Sequence, residues 1–340
     1  MKNAILLSLL LPFVCCLQAC SDDTPAGSPN ADDLARPNEI TVIFTPNGLG
    51  DMGYNDLALQ GLQRTYKNHT DMRMYFNAPR DMAQAESIFR EWASKPAAGR
   101  SLCILATSDF EDLVTAYFQS DTALPDGKEV LLFESDNPHN LPISTFRMSL
   151  YGASFLAGVC AASLTDGKGL AVGGSSSDAS IRSALDGLAD GYAHMGRSTP
   201  DVVFLSEGFD GYAMPDKAYR NMAEWSSHYD FVYPVAGGSN LGIYKYLRDY
   251  VTTVHTAGMD VDQSHLCNKV TGSTVKHLDR LLAFYLNLWL SGTPLPAKVW
   301  YGLESGFVDY LVAPAYSASL GNVVETCRRT AIDKENAYEE

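Results

Sequence analysis

The feature that most constrains this chain is a regular alternation of short apolar or β-branched runs with segments of helical periodicity. Residues 40–44 read as a strand, and 55–67 follow with Leu57, Leu59, Leu62 and Tyr66 near helical spacing. Strands are expected again at 72–77, 102–106 and 130–134, with helices at 81–94 and 110–118 between them. The rhythm then restarts. An apolar, small-residue helix at 151–164 precedes strands at 169–173, 201–205, 231–235 and 251–257, with helices at 181–195, 215–228 and 241–250. A long helical pattern at 266–290 and strands at 300–302 and 307–312 complete the series. Strands alternating with helices imply βαβ units and parallel sheets. A series that runs twice implies an α/β fold of two Rossmann-like lobes.

Composition fits that reading. The chain has 340 residues, 46% of them hydrophobic and 19% charged, which allows a sizeable core. A formal charge of −15 argues against nucleic acid and anionic membrane surfaces as partners. The first residues read as an export signal. Lys2 precedes a nearly unbroken apolar stretch at 4–17, too short to span a bilayer. It ends in Leu17-Gln18-Ala19-Cys20, which resembles a bacterial lipobox. The expectation is a signal peptide at 1–19, lipid on Cys20, and a flexible Pro-, Gly- and Asp-rich tether at 20–38. The mature protein would be a membrane-anchored lipoprotein facing the periplasm. Acidic Asp22 and Asp23 beside Cys20 leave the cell surface open as an address.

The remaining cysteines carry less information. Cys103 and Cys160 sit in apolar runs and read as small buried hydrophobes. Cys267 and Cys327 could pair in an oxidising compartment. No Cys or His spacing suggests a metal site, and no cofactor is implied.

Two open α/β lobes bind ligands on the loops that leave the carboxyl ends of their strands. The expected first strand delivers Asn47 through Asn55, including Gly48, Gly50, Asp51, Gly53 and Tyr54. The third delivers Thr107, Ser108, Asp109 and Phe110. Later strands deliver Glu207 to Tyr212, Ala236 to Asn240, and Gly258 to Gln263. Most of these loops combine glycine with Asp, Asn or an aromatic ring.

Gly50-Asp51-Met52-Gly53-Tyr54-Asn55, with Ala58, Gly61 and Leu62, resembles the opening signature of the basic membrane protein family. These are nucleoside-binding lipoproteins, the solute receptors of ABC importers, with a type I periplasmic binding protein fold. Phe155-Leu156-Ala157-Gly158, Gly187 to Tyr192, Ala236-Gly237-Gly238, Gly258 to Gln263, and Thr274-Val275-Lys276 with Asp279 follow in that family's order. The resemblance covers residues 40–312. It implies a monomeric receptor that closes on a purine nucleoside by hinge motion and hands it to an ABC permease. Lobe one would be 39–145 plus 263–292, and lobe two 146–262 plus 293–330.

The resemblance also implies roles. Asp51 and Asn55 would meet the ligand, and Tyr54 and Phe209 would sandwich its base, a flat stack worth about 0.5–1.5 kcal/mol beyond burial. Asp260 would accept from ribose hydroxyls. Lys276, Ser108, Asp109 and Gly238 would lie at the site, with Asp109 reading base edges. Gly53 replaces a usual Ser, and the loops around Asp109 and Phe209 depart from the pattern, so a free base or another small polar ring stays open. Each residue also has a plainer reading. Asp51, Asn55 and Asp109 suit helix caps, Tyr54 and Phe209 suit a core, Asp260 suits a turn, and Lys276 suits a pair with Asp279.

Enzyme readings find little. No G-x-S-x-G elbow or P-loop spacing occurs, and the histidines are scattered. A nucleoside hydrolase-like enzyme using Asp51 and Asp260 is the alternative, because paired carboxylates meet only in space. A surface lipoprotein that captures ligand without an importer is another.

Overall fold

A computed structural model describes residues 37–46, 48–69, 72–97, 99–120 and 123–340. The signal-peptide, tether and Cys20 lipidation assignments lie outside the described residues, as do Cys15, Cys16 and Asn47. Residues 37–340 form one compact unit. Among the described residues no helix is long and apolar enough to cross a membrane.

The unit is built on two six-stranded sheets. The first holds β1 (Asn38–Ile43), β2 (Met72–Asn77), β3 (Ser101–Leu105), β4 (Lys128–Phe133), β5 (Ser144–Met148) and β11 (Lys298–Tyr301), in the order β11-β5-β4-β3-β1-β2. The second holds β6 (Gly169–Ser175), β7 (Asp201–Ser206), β8 (Phe231–Val235), β9 (His255–Asp260), β10 (Val270–Lys276) and β12 (Val308–Val312), in the order β12-β10-β9-β8-β6-β7. The order β2-β1-β3-β4-β5 in one sheet is repeated as β7-β6-β8-β9-β10 in the other, so the same doubly wound plan is used twice. All pairings are parallel except β10 with β12, which is antiparallel. Central strands such as β3, β8 and β10 are buried along their whole length, as parallel strands covered on both faces must be.

The chain passes between the sheets after β5, after β10 and after β11. This differs from the expected lobe boundaries in two places. The stretch read as one helix from 266 divides into β10 and α8 (Leu278–Leu290), and β10 joins the second sheet. Val270, Thr271, Thr274 and Val275 are β-branched and favour a pleated strand. Because β10 is buried on both faces, it shows no alternation to separate it from the helix that follows. The strand near Trp300 pairs with β5 and so lies in the first sheet, not the second. Helix α8 packs against α1 (Tyr54–Lys67), across the face of the first sheet. Cys267 and Cys327 are unpaired and sit in different hydrophobic clusters.

Close helix packing in the second half explains its glycines. Helix α4 (Tyr151–Leu164) lies on α5 (Arg182–His194) so tightly that backbones touch. A Cβ on Gly187 would stand 2.2 Å from the Tyr151 carbonyl, and one on Gly191 2.2 Å from that of Phe155. The last helix, α9 (Ser317–Glu339), was not anticipated from sequence. It buries Leu320, Val324, Cys327, Ala331 and Glu335, a stripe at helical spacing that ends in a carboxylate. Glu335 is fully buried and accepts from the amides of Gly152 (2.9 Å) and Leu303 (2.6 Å), two points where the chain has just changed sheets. Nearby, Glu339 takes both guanidinium arms of Arg147, which also reaches Asp136 at 2.9 Å.

Two outcomes are expected. Glu335→Ala leaves two buried amides without acceptors and should cost about 2–4 kcal/mol in denaturant unfolding. Gly191→Ala must push α4 and α5 apart and should cost about 1–3 kcal/mol, whereas Gly321→Ala, with open space at its Cβ, should not destabilise.

Candidate functional site

The carboxyl ends of β1, β3, β4, β6, β8, β9 and β10 send polar residues into one cleft between the sheets. After β1 the chain turns through Met52, at φ +50°, into α1. Asp51 caps that helix. Its Oδ1 accepts from the Gly53 amide at 2.8 Å, and its Oδ2 accepts from the Asn55 amide and side-chain Nδ2, both at 3.0 Å. The plain capping reading of Asp51 therefore holds geometrically. Asn55 keeps one atom free: its Oδ1 is buried without a hydrogen-bond partner. The Tyr54 hydroxyl is buried too, with the Glu134 carboxylate within reach as its acceptor. Both residues are 8% exposed. Buried polar atoms are normally satisfied, so the unpaired Asn55 Oδ1 marks a place where another molecule's donor would fit.

Lys276, at the end of β10, lies at the back of the cleft. Its Nζ donates to Glu134 Oε1 at 2.7 Å, stands 4.0 Å from Asp260 Oδ1, and sits 4.6 Å over the Tyr54 ring. It does not pair with Asp279, whose carboxylate binds Arg64 at 2.8 Å. Burial alone would lower the Lys276 pKa, but Glu134 and Asp260 outweigh it and hold the ammonium above its ordinary range. Glu134 directly follows β4 and Asp260 ends β9, both with left-handed backbone, at φ +54° and +68°. Such conformations are costly for residues with a side chain and persist where the surroundings fix them. Glu134 Oε2 also accepts from the Met148 amide at 2.9 Å. Burial, with Asp51 and Glu134 close by, raises the Asp260 carboxyl to about 6 despite Lys276.

On the other flank, Ser108 donates to Asp178 Oδ1 across the cleft at 3.4 Å. Asp178 also accepts from the Ser180 amide (2.9 Å) and from the Tyr212 hydroxyl (2.6 Å). Asp109 accepts from the hydroxyls of Thr45 and Thr107, and burial raises its carboxyl above the ordinary range. Gly238 faces Asp51: a Cβ there would lie 3.6 Å from the Asp51 Cα. Gln263 Nε2 donates to the Met52 carbonyl at 3.3 Å, so the two sides already touch.

The structure thus brings Asp51, Tyr54, Asn55, Asp260, Lys276, Ser108, Asp109 and Gly238 around one cleft. Among the described residues no ring contact joins Phe209 to Tyr54. Phe209 is 36% exposed and its ring lies 6.1 Å from Tyr212, which is the residue turned inward to Asp178. Sequence reasoning passed over Glu134 and Asp178, and named Tyr212 only as the end of a strand-end loop. Glu134 was read only as the end of a strand, although every neighbouring strand delivers a polar residue at that point. Among the described residues no His, Cys, Asp and Glu cluster is arranged to hold a metal.

The chain matches, over residues 39–319, the family Bmp, described as ABC transporter substrate-binding protein PnrA-like. No curated protein sequence matches it. Solved structures with the same fold include a solute-binding protein of an ABC transporter system from Aeropyrum pernix K1. It has 15% identity and a TM-score of 0.66, over 88% of this chain and 86% of that one. A transcriptional activator of the comK gene from Bacillus halodurans has 18% identity and a TM-score of 0.65, over 86% and 97%. A periplasmic solute-binding protein of an ABC transporter from Actinobacillus succinogenes 130z, with bound D-allose, has 11% identity and a TM-score of 0.60, over 83% and 99%. At such identities these structures establish the type I periplasmic binding protein fold, which carries more than one function. The family match spans both sheets and every strand that feeds the cleft, and the chain belongs to the Bmp family of PnrA-like ABC transporter substrate-binding proteins.

Proposed function

We propose that this substrate-binding protein captures a purine nucleoside in the cleft between its sheets and, held by lipid on Cys20, delivers it to an ABC permease. The observation that carries this reading is the grouping of Tyr54, Asn55, Asp260 and Lys276. Asn55 holds a buried acceptor without a partner, next to Tyr54, whose ring lies under the Lys276 ammonium that stands 4.0 Å from Asp260. A ring face accepts a flat heterocycle, and Asp260 accepts a pair of hydroxyl donors. Tyr212, rather than Phe209, is the better second wall for the base, since its hydroxyl is anchored to Asp178 inside the cleft. Asp109, which accepts from Thr45 and Thr107, would use its remaining lone pairs to accept from ring or exocyclic N–H groups. The hydrolase alternative loses a participant here. Both oxygens of Asp51 are taken by the start of α1, so no second free carboxylate faces Asp260 from that position.

Calorimetry with inosine, guanosine and adenosine tests the reading, and at least one should bind. Asp260→Ala removes a pair of charge-assisted hydrogen bonds, each worth about 1.5–3 kcal/mol, and should weaken binding by about a hundredfold or more. Absence of binding by all three, or an unaltered Kd in Asp260→Ala, would sink the nucleoside assignment. Release of free base on incubation would favour the enzyme instead.

The Asp260 carboxyl supplies a pH signature. Hydroxyl donors favour its ionised form, so ligand should pull its pKa below about 6. Affinity should hold above pH 6 and fall as pH drops below it. Binding near pH 5.5 should release a proton, seen as heat that varies with the buffer. Folding responds in the opposite sense. The pKa is higher folded than unfolded, so this carboxyl favours the fold most at low pH, and its contribution declines as pH rises through about 6. Asp260→Asn should flatten both profiles.

A further inference from the structure

Helix N-termini and buried ammonium groups are the features by which an α/β cleft ordinarily attracts phosphate. This cleft contains them, and each is already occupied by a carboxylate of the chain itself. At the start of α1, Asp51 takes the amides of Gly53 and Asn55 at 2.8 and 3.0 Å. At the turn leading into α5, Asp178 takes the Ser180 amide at 2.9 Å. At the back wall, Glu134 takes the Lys276 ammonium at 2.7 Å, with Asp260 4.0 Å away. We infer that Glu134, Asp178 and Asp51 are specificity-determining residues that close the cleft to phosphate-bearing ligands, so that it accepts a nucleoside and rejects the 5′-monophosphate. The nucleoside half of this statement rests on the proposed function, and the exclusion of phosphate stands without it.

Glu134 is the keystone. Its backbone occupies a region that favours glycine, yet the position carries a buried carboxylate with both oxygens engaged, one by Lys276 and one by the Met148 amide. A phosphate reaching Lys276 would have to share its ammonium with Glu134 and bring a second negative charge against a buried carboxylate, a costly state. It would also lie close to Asp260. On the opposite flank Asp178 adds like charge where Ser108 joins the two sides. Uncharged ligands rich in N–H and O–H donors meet no such penalty, because every one of these carboxylates is an acceptor.

The alternative is that these acids serve only as helix caps and a structural ion pair. Thermal unfolding in millimolar inorganic phosphate, against chloride at equal ionic strength, separates the two. Glu134→Gln keeps an oxygen for the Met148 amide but frees the Lys276 charge. Phosphate should raise its Tm by about 3 °C or more, and the Glu134→Gln/Lys276→Met double variant should lose that rise. Wild type and Lys276→Met should respond alike. If Glu134→Gln does not fold, Asp178→Asn, which still caps Ser180, must gain a phosphate response in its place. Indifference of the folded variant to phosphate, or a wild-type response that Lys276→Met abolishes, overturns the inference. Calorimetry with inosine and inosine 5′-monophosphate provides the second arm. Wild type should prefer the nucleoside by about a hundredfold or more, and Glu134→Gln should narrow that ratio by about tenfold. A phosphate response as expected, with neither compound bound by wild type, supports the exclusion and counts against the nucleoside reading alone.

Discussion

One buried ammonium organises the cleft. Lys276 comes from the second sheet and Glu134 from the first, and their contact joins the two layers at the back wall. Such a pair is strong only because its remaining valences are filled, by the Met148 amide on one side and the Tyr54 ring on the other. Removing either partner would strand the other charge. The left-handed turns at Glu134 and Asp260 follow from the same demand, since each strand must bend sharply at its end to bring a carboxylate toward Lys276.

The rest of the fold holds those strand ends in place. Repetition of one strand order in both sheets points two sets of carboxyl ends at each other, which is where doubly wound sheets offer a binding crevice. Tight α4–α5 packing keeps the second half rigid, and α9 anchors the crossing segments through Glu335 and Glu339. A receptor of this family must hold its ligand and release it. A braced crossing region with a polar, partly unsatisfied cleft suits that task better than a closed apolar pocket would.

The chemistry of the cleft is mostly acceptance. Asp51 and Asp178 spend part of their charge on helix starts, Glu134 spends its own on Lys276, and Asp109 is cradled by two threonine hydroxyls. Asp260 keeps the most freedom, and burial places its titration near pH 6, where a modest change in surroundings alters its charge. Asn55 adds a buried acceptor that the protein leaves unsatisfied.

Local pattern was enough to read the α/β class, the repeated rhythm, and the strand-end loops that carry Asp51, Tyr54, Asn55, Asp109 and Asp260. Periodicity and turn residues act over a few positions, so they survive in one dimension. What failed was whatever depended on a neighbour distant in sequence. Strand β10 merged with α8 because a strand buried on both faces shows no alternation. The strand near Trp300 was placed in the wrong sheet because partner choice is a matter of hydrogen bonding to β5. Glu134 is the clearest case. By itself it is the polar end of an apolar strand, and only tertiary structure, by carrying Lys276 to within 2.7 Å of it, makes it the residue that sets the charge of the cleft.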